Sequence, residues 1–369
     1  MGRRLLCMLI KEFLQMLRDP RMRVVVFGTP VIQMTIMAFA LTTDVTNIRM
    51  AVLDMDNTPA SREFISAFTA GEYFRISASL TSQDEITPIL DRAEARAVLQ
   101  IPSGFASDLN NGETATIQLL TDGTDSNSTA IVQGYAGYIL SDYNDRMQKK
   151  RLAKKGISEP PVQIETASRA WYNANQESHF YYVPSLIATM LFIFSLLLTS
   201  IGIVREKEIG TIEQVMVTPI RRIEFILGKT IPYMITGYIS MSFMLLVAFV
   251  IFDVHVRGSI FLLYGLTGIY LAGNMGIALI ISGSARTQQQ ALLTSFLVLM
   301  PSVMLSGFMF PITNMPEAVQ FATFGNPMRW YLEILRFIVM KDVGISSLWP
   351  AILAQTGLTL TFLTIAVGR

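Results

Sequence analysis

Charged residues are scarce in this sequence. Only 15% of its 369 residues are Asp, Glu, Lys or Arg, whereas 51% are hydrophobic, and the mean hydropathy is +0.44. Soluble proteins carry roughly 25% charged residues. This deficit excludes an ordinary soluble protein and indicates a chain that lies largely in a membrane.

Cysteine and histidine are almost missing as well. Cys7 is the only cysteine, so neither an intrachain disulfide nor a cysteine-rich metal site can form. His179 and His255 are the only histidines and lie far apart in the sequence, so we predict no metal site. The formal net charge of +1 provides no basic field of the kind that attracts nucleic acid.

Long apolar runs are present instead. Six stretches without ionisable side chains each have close to the roughly 20 residues that cross a bilayer. They lie at about 24–42, 183–204, 231–252, 260–281, 291–310 and 349–368. No ionisable group lies at the centre of any stretch, which disfavours a proton- or sodium-coupled carrier. The sequence therefore predicts an α-helical membrane protein with six transmembrane helices.

The basic residues indicate how these spans are oriented. Lys and Arg cluster in the N-terminal segment, in the loop after the second span and, as Arg286, after the fourth span. Short basic segments resist translocation, so these three segments and both termini are expected to be cytoplasmic. The predicted regions are a cytoplasmic amphipathic helix at 1–23, the first span at 24–42, an extracytoplasmic domain at 43–182, and spans two to six at 183–369.

The N-terminal segment has helical periodicity. Its apolar positions are Leu5, Leu6, Leu9, Ile10, Phe13, Leu14 and Leu17, and its polar positions are Arg4, Lys11, Glu12 and Arg18. This pattern is typical of a helix that lies on the membrane surface. A plain helical extension of the first span is the alternative.

The domain inserted between spans one and two has an α/β pattern. The predicted strands are Ile48–Leu53, Arg96–Ile101 and Thr116–Leu120, and the predicted helices are Pro59–Ala70, with Thr58 as its N-cap, and a long helix over Asn127–Leu152. Residues 311–348 hold Pro311, Pro316 and Pro327 among aromatic residues and are too broken for a seventh span. We expect them to form an outer re-entrant segment of short helices.

No nucleotide site is encoded. Gly228-Lys229-Thr230 resembles the end of a phosphate-binding loop, but that motif requires glycine at position 223, where Ile223 stands. Any ATPase must therefore be a separate chain, and we predict neither a catalytic residue nor a cofactor here.

A charged segment, Arg205-Glu206-Lys207-Glu208-Ile209-Gly210-Thr211-Ile212-Glu213, directly follows the second span and continues to Pro219. Residue chemistry alone leaves two interpretations open, a short helix that docks on a cytoplasmic partner and a solvated loop that anchors the topology.

This segment resembles the coupling-helix signature of ABC-2 type permeases, a string E-K-E-x-G-T-x-E-x-x-x-x-[ST]-P after the second span. The matching elements are Glu206-Lys207-Glu208, Gly210, Thr211, Glu213 and Thr218-Pro219. Other resemblances to bacterial multidrug-type members are Ala51–Thr58, Ile101–Phe105, Thr121–Thr124, Trp171–Asn173, and Ser306–Phe308 with Phe310-Pro311 and Met315-Pro316. The last helix ends at Arg369 with almost no tail, which favours a shortened chain.

The resemblance implies a permease subunit of an ATP-binding cassette exporter in a bacterial inner membrane. Such permeases form homodimers or heterodimers and bind two cytoplasmic ATPase subunits, which hold ATP and Mg; a periplasmic adaptor protein is compatible with this subgroup. The coupling helix would be 205–220, and its predicted contact residues are Arg205, Glu206, Glu208, Gly210, Thr211, Glu213 and Pro219.

The resemblance also places the substrate path between two protomers, along spans two and five. The candidate path residues are Phe192, Phe194, Leu198, Met300, Met304 and Phe308. Methionine adapts to varied apolar shapes, which suits drug-like or lipid-like cargo, although such stripes more often serve helix packing. Two rival functions are a membrane-anchored sensor or scaffold that uses its outer domain for binding, and an exporter of glycan or lipid-linked polysaccharide, which would not need the large domain.

Overall fold

A computed structural model describes residues 2–18, 23–41, 47–71, 73–124, 126–154, 177–210 and 222–368. In chain order its main elements are α1 Gly2–Arg18, α2 Thr29–Ala40, β1 Ile48–Asp54, α3 Pro59–Thr69, β2 Phe74–Ser79, α4 Ile86–Asp91, β3 Ala97–Ile101, α5 Phe105–Asn111, β4 Gln118–Thr121, α6 Ser126–Lys154, α7 His179–Ile209, α8 Arg222–Phe252, α9 Ile260–Ser284, α10 Gln288–Met304, α11 Glu317–Ala322, α12 Pro327–Lys341 and α13 Ile345–Gly368. The chain divides into two compact units, one formed by Met1–Thr42 with Arg169–Arg369 and the other by Thr43–Ser168.

Four helices of the first unit are long and apolar enough to cross a membrane. They are His179–Ile209, Ile226–Phe252, Ile260–Ser284 and Ile345–Gly368, which coincide with predicted spans two, three, four and six. Predicted span one coincides with the shorter helix α2, which continues from a π-helical stretch at Val24–Gly28. Predicted span five was drawn too long, because α10 has 17 residues and ends at Met304. A count of six spans therefore stays a prediction.

Helix α7 lies at the centre of the first unit, and α2, α8, α9, α10 and α12 all pack against it. Its fully buried neighbours include Tyr270 of α9 and Tyr331 of α12, whose rings stack with centroids 3.9 Å apart. The Tyr270 hydroxyl donates to the Ala188 carbonyl of α7 at 3.1 Å, and the Tyr331 and Thr267 hydroxyls lie 2.9 Å apart. Each buried hydroxyl thus has the hydrogen-bond partner that burial requires.

Small residues allow α9 and α13 to approach closely. A methyl group at Gly273 would lie 2.7 Å from the Thr359 hydroxyl, and one at Gly276 would lie 3.0 Å from Phe362 Cβ. Membrane helices commonly pack through such small residues, because dispersion contacts rather than water exclusion hold them together.

The segment predicted as re-entrant contains short helices, as expected. Helix α11 has 6 residues and α12 has 15. Helix α12 begins at Pro327, and the Asn326 side chain caps it by accepting from the Met328 amide. Its apolar face is buried, with Leu335 and Ile338 both inaccessible to solvent. This burial makes α12 part of the packed unit.

The second unit contains a four-stranded sheet in the order β2-β1-β3-β4. Strand β1 pairs in parallel with β2 and β3, and β3 pairs antiparallel with β4. Met50 and Val52 of β1 join one buried cluster, with Phe64 of α3, while Ala51 and Leu53 join another, with Ile89 of α4. Because successive side chains of a strand alternate between faces, helices cover both sides of this sheet.

The predicted strands and helices of this unit are confirmed to within a few residues, and so is the N-cap. The Thr58 hydroxyl accepts from the Ser61 amide at 3.2 Å, and the Ser61 hydroxyl accepts from the Thr58 amide at 3.0 Å. This reciprocal pair satisfies two amides that the first turn of a helix leaves without partners. Trp171–Asn173 lies outside the described residues.

Two of the recognised sequence motifs meet at the carboxyl ends of β1 and β3. The Asp56 carboxylate accepts from the Gly104 amide at 2.9 Å, the Ala106 amide at 3.1 Å and the Thr58 hydroxyl at 2.6 Å. The Thr58 hydrogen bond, with those of the two amides, lowers the pKa of Asp56 below its ordinary value. Asp56 thereby joins the β1–α3 loop to the start of α5.

Candidate functional site

The predicted coupling residues that the structure describes lie at the C-terminal end of α7. These are Arg205, Glu206, Glu208 and Gly210; Thr211, Glu213 and Pro219 lie outside the described residues. Helix α7 ends at Ile209 because Gly210 adopts a left-handed conformation with φ +80°, and its amide donates to the Lys207 carbonyl. Glycine reaches this conformation without the steric cost that a Cβ imposes.

Glu206 points into the protein. The residue is 7% exposed, and one carboxylate oxygen lies 2.7 Å from the Lys229 ammonium of α8 and 3.1 Å from the Lys11 ammonium of α1. A carboxylate so enclosed needs cationic partners, because burial without them costs several kcal/mol. The structure therefore assigns Glu206 a role inside the chain, and whether it also contacts an ATPase stays a prediction.

Glu12 completes this cluster, which we call the ion-pair junction and which consists of Lys11, Glu12, Glu206 and Lys229. The Lys229 ammonium lies 2.8 Å from the Glu12 carboxylate, and Lys229 and Glu12 are 2% and 4% exposed. Two cations and two anions make the junction neutral. Its members come from three helices, so it ties α1 to the end of α7 and to the start of α8.

Lys11 lies at the edge of the ion-pair junction, with 53% of its side chain exposed. Burial alone would lower the pKa of Lys11, but the hydrogen bond and the negative charge of Glu206 raise it above its ordinary value. Lys11 therefore stays charged at neutral pH and contributes its positive charge to the cluster.

Two glycines let the three helices come close enough for these contacts. A methyl group at Gly228 would lie 2.5 Å from the Met8 sulfur of α1, and one at Gly202 of α7 would overlap the Tyr233 hydroxyl of α8. A larger residue at either position would require the Met8 or the Tyr233 side chain to move away from the neighbouring helix.

Glu208 and Lys207 link the end of α7 to the turn between α9 and α10. The Glu208 carboxylate accepts from the Gln288 amide at 3.2 Å and from its side-chain nitrogen at 2.8 Å. The Lys207 ammonium donates to the carbonyls of Ser282 and Gly283. Arg205, by contrast, is exposed. The structure thus brings together the three basic segments that the sequence predicts on one side of the membrane.

Sequence reasoning missed Lys11, Glu12 and Lys229. In the sequence, Lys229 belongs to the basic residues of the loop after span two and to the rejected phosphate-loop resemblance, and Glu12 is one of the polar positions of the amphipathic helix. Glu12 is buried against Lys229, whereas Leu6, Ile10 and Leu14 of α1 are exposed. The location of this helix on the membrane surface stays a prediction. A lone Lys beside an apolar run was the one available signal, since charged groups there usually have partners.

The six candidate path residues do not line one surface of this chain. Phe192 is buried with its ring stacked on Tyr270, and Phe308 is buried with its ring edge-on to Tyr182. Met300 and Met304 of α10 are 61% and 54% exposed.

Phe194 and Leu198 line a narrow crevice of about 20 Å³, which Pro30 of α2 and Tyr233 and Thr236 of α8 also line. This crevice lies within one chain, whereas the sequence predicts a path between two. Within the described ranges, no group of three or more His, Cys, Asp or Glu side chains could hold a metal ion.

Comparison with known proteins identifies the family. A model of the "ABC-2 family transporter protein" family matches residues 20–367. The "Probable multidrug ABC transporter permease YbhR" of Escherichia coli is 33% identical over 363 residues, covering 97% of each chain. The permease YbhS of the same organism is 30% identical, covering 92% of this chain and 89% of its own, and the "Inner membrane transport permease YhhJ" is 26% identical. The chain therefore belongs to the ABC-2 transporter family and is a membrane transport permease.

Proposed function

We propose that this chain is the membrane-spanning subunit of an ATP-binding cassette exporter in a bacterial inner membrane. It moves hydrophobic or amphipathic compounds outward, and a separate ATPase subunit that binds ATP and Mg supplies the energy. The single observation that carries this proposal is the ion-pair junction, because Glu206 and Lys229 occupy the two flanks of the undescribed segment 211–221. A segment that transmits a conformational change from an ATPase to the spans must be fixed at both ends to the helices that move, here α7 and α8.

The coupling segment acts, in this proposal, as a lever between the ATPase and the spans. A displacement of the coupling segment would be transmitted to α7 and α8 together, because the Glu206–Lys229 ion pair joins them. The Glu12–Lys229 ion pair would transmit it to α1. Ion pairs suit this task, because separating a buried pair leaves charges away from water without a partner, which is costly. The exposed Arg205 and the undescribed Glu213 are the residues that we assign to the ATPase surface.

The end of the molecule that carries the ion-pair junction also supports an orientation of the chain in the membrane. The junction and the Lys207 contacts join the N-terminal helix to the loops after the second and fourth predicted spans. These segments carry many of the basic residues that resist translocation, so we place this end and both termini in the cytoplasm. The same topology makes the predicted domain at 43–182 extracytoplasmic, where it is accessible to a periplasmic adaptor protein.

The assembly follows from family membership. We propose two permease protomers, identical or different, with two ATPase subunits, and a substrate path along α7 and α10. Met300 and Met304 are exposed on α10, which supports a role in contact with cargo or with a second protomer. The crevice at Phe194 and Leu198 offers a further apolar surface within one chain.

The decisive experiment is purification of the tagged chain from its native host in mild detergent, followed by mass spectrometry and an ATPase assay. A stoichiometric partner with a phosphate-binding loop, whose hydrolysis is stimulated by the permease, supports the proposal. A chain that arrives alone, or only with proteins bound to the unit Thr43–Ser168, contradicts it and favours the sensor or scaffold. A screen of amphipathic dyes against glycan substrates in proteoliposomes then separates the two exporter classes.

A further inference from the structure

A second cation, which is half-buried, lies near the N-terminal end of α7, about 30 Å from Glu206 along that helix. It is Arg336 of α12. Its Nε donates to the Ser185 hydroxyl of α7 at 2.9 Å, and one terminal nitrogen donates to the Gly307 carbonyl at 3.3 Å. The guanidinium carbon lies 3.8 Å from the centre of the Tyr181 ring. These three contacts hold the guanidinium plane in one orientation.

All the described partners of Arg336 are neutral. No ion pair involving Arg336 is found among the residues that the structure describes, whereas Lys229 has two carboxylates within 2.8 Å. The carboxylate on the same helix, Glu333, interacts electrostatically with Arg329 instead. A hydroxyl, a carbonyl and an aromatic face offset part of the cost of withdrawing the guanidinium partly from water, but they supply no negative charge.

The guanidinium retains hydrogen-bonding capacity. The hydrogen bonds of Arg336 to Ser185 and Gly307 use Nε and Nη2, and the Tyr181 side chain is a further partner of the guanidinium. A guanidinium presents its donors as a rigid fork that matches the oxygens of a phosphate or a carboxylate. An anion at Nη1 would therefore meet a donor pair that is already oriented and a charge that is not yet neutralised.

The surroundings of this cation are preorganised. The Tyr181 hydroxyl donates to the same Gly307 carbonyl at 3.2 Å. Gly307 has φ +82°, and a methyl group there would lie 3.2 Å from Ile312. Residues beside Gly307 in the sequence present apolar surface, with Met309 and Phe310 50% and 57% exposed. The Gly307 carbonyl accepts from Arg336, so Met309 and Phe310 follow this contact directly along the chain. A fixed cation with exposed apolar side chains a few residues away suits an amphipathic anion.

We propose that Arg336 forms a binding site for the phosphate or carboxylate group of an amphipathic anion, whose apolar chain lies against Met309 and Phe310. The anion is either a phospholipid of the bilayer or a transported compound; both present the same chemistry to Arg336. The site goes beyond the export function proposed above and depends on binding alone, so it can stand or fail without ATP hydrolysis.

The test is equilibrium binding to the full chain in phosphatidylcholine nanodiscs, with empty nanodiscs as the background. The probes are dodecyl phosphate, which is anionic, and dodecyl glucoside, which is uncharged. We expect the wild-type protein to bind dodecyl phosphate about tenfold more tightly than the glucoside, as charge-assisted hydrogen bonds imply. Equal affinities for the two probes overturn the proposal, and this comparison needs no variant.

Variants locate the site. Arg336→Gln should lose about tenfold in affinity for dodecyl phosphate and keep its affinity for dodecyl glucoside, and Arg336→Lys should retain part of the preference because it keeps the charge but not the fork. Lys341→Gln, at the exposed end of the same helix, is the matched control and should bind like the wild type. A purely structural role for Arg336 would lower the affinity for both probes together and would overturn the proposal.

The two sources of the anion are then distinguished by replacing the phosphatidylcholine of the nanodisc with an anionic lipid. If phosphatidylglycerol nanodiscs remove dodecyl phosphate binding at equal protein content, the site holds a membrane lipid. If binding persists there, the site holds the transported compound. Both results require that Arg336→Gln abolish the difference between the anionic and uncharged probes, and a difference that survives Arg336→Gln contradicts the assignment of the site to this residue.

Discussion

The Lys229 ammonium lies between the Glu206 and Glu12 carboxylates, at 2.7 and 2.8 Å. It is almost fully buried, and it bridges α7 and α1 from the first turns of α8. Because Glu206 precedes and Lys229 follows residues 211–221, the two flanks of that segment cannot separate without breaking an ion pair. Substitution of Lys229 or of Glu206 should therefore have a large effect on the stability of the chain.

Neutralising one partner of the ion-pair junction should destabilise the permease. Lys229→Met leaves Glu206 and Glu12 buried close together without the cation between them, and breaking a buried pair costs about 3–5 kcal/mol. Thermal unfolding of the purified chain, followed by intrinsic fluorescence, should show a clear fall in midpoint. Arg205→Gln, on the same helix end but exposed, is the control and should leave the midpoint unchanged; a similar fall in both variants would contradict the buried-pair explanation.

Charge reversal should separate the internal and external roles of the coupling segment. Glu206→Lys places a third cation beside Lys11 and Lys229 and should lower stability as well as transport. The double variant Glu206→Lys with Lys229→Glu restores one opposite-charge contact and should recover part of both losses. The measurements are the yield of inserted protein and the ratio of transport to ATP hydrolysis in proteoliposomes.

Glu213→Lys should behave differently, because we assign Glu213 to the ATPase surface. It should keep wild-type insertion and thermal stability while uncoupling ATP hydrolysis from transport. Unchanged transport in both Glu206→Lys and Glu213→Lys would remove the basis for the coupling assignment.

The close contact of Gly202 with Tyr233 predicts that two similar glycine substitutions have opposite effects. Gly202→Ala drives a methyl group into the Tyr233 side chain, and overpacking of this kind costs about 1–3 kcal/mol. Gly265→Ala, inside α9 with no heavy atom within 4 Å of the added methyl, should instead stabilise the helix by about 0.5–1 kcal/mol. Unfolding midpoints of the two variants test this, and equal shifts of the same sign would contradict it.

Asp56 predicts an acid-sensitive contact in the sheet-containing unit. Its pKa is lowered in the folded chain by the Thr58 hydroxyl and the Gly104 and Ala106 amides. A group with a lowered folded pKa stabilises the protein above its unfolded pKa, and this contribution is lost as the pH falls through the folded value. The protection factors of the Gly104 and Ala106 amides, which correct for the slower intrinsic exchange in acid, should therefore fall as the pH is lowered.

Asp56→Asn should remove most of that acid dependence and should speed exchange at both amides at neutral pH, because an amide group is a weaker acceptor than a carboxylate. Asp84→Asn, at an exposed position on the same unit, serves as the control. Protection at Gly104 and Ala106 that is the same in the wild type and Asp56→Asn would show that Asp56 does not hold this loop.

The sequence by itself determined the membrane character, the approximate positions of the four long spans and the family. Apolar runs of sufficient length are a local property, so Ile260–Ser284 could be located without knowing its neighbours. Local chemistry also predicted Thr58 as an N-cap, because a capping hydroxyl bonds amides only three residues away. The charged segment after α7 could be recognised from the sequence because its motif consists of neighbouring residues.

Only the tertiary structure decided which charged groups meet. Glu12, Glu206 and Lys229 are distant in sequence, and their identities are equally compatible with exposure to water; the packing of α1, α7 and α8 through Gly202 and Gly228 brings them together. The same holds for Arg336, whose position predicts only a basic residue near an interface. Its contact with neutral partners depends on where Ser185 and Gly307 lie in space. Whether a charged side chain has an ion-pair partner depends on residues that are distant in the sequence, and neither periodicity nor a local motif reveals it.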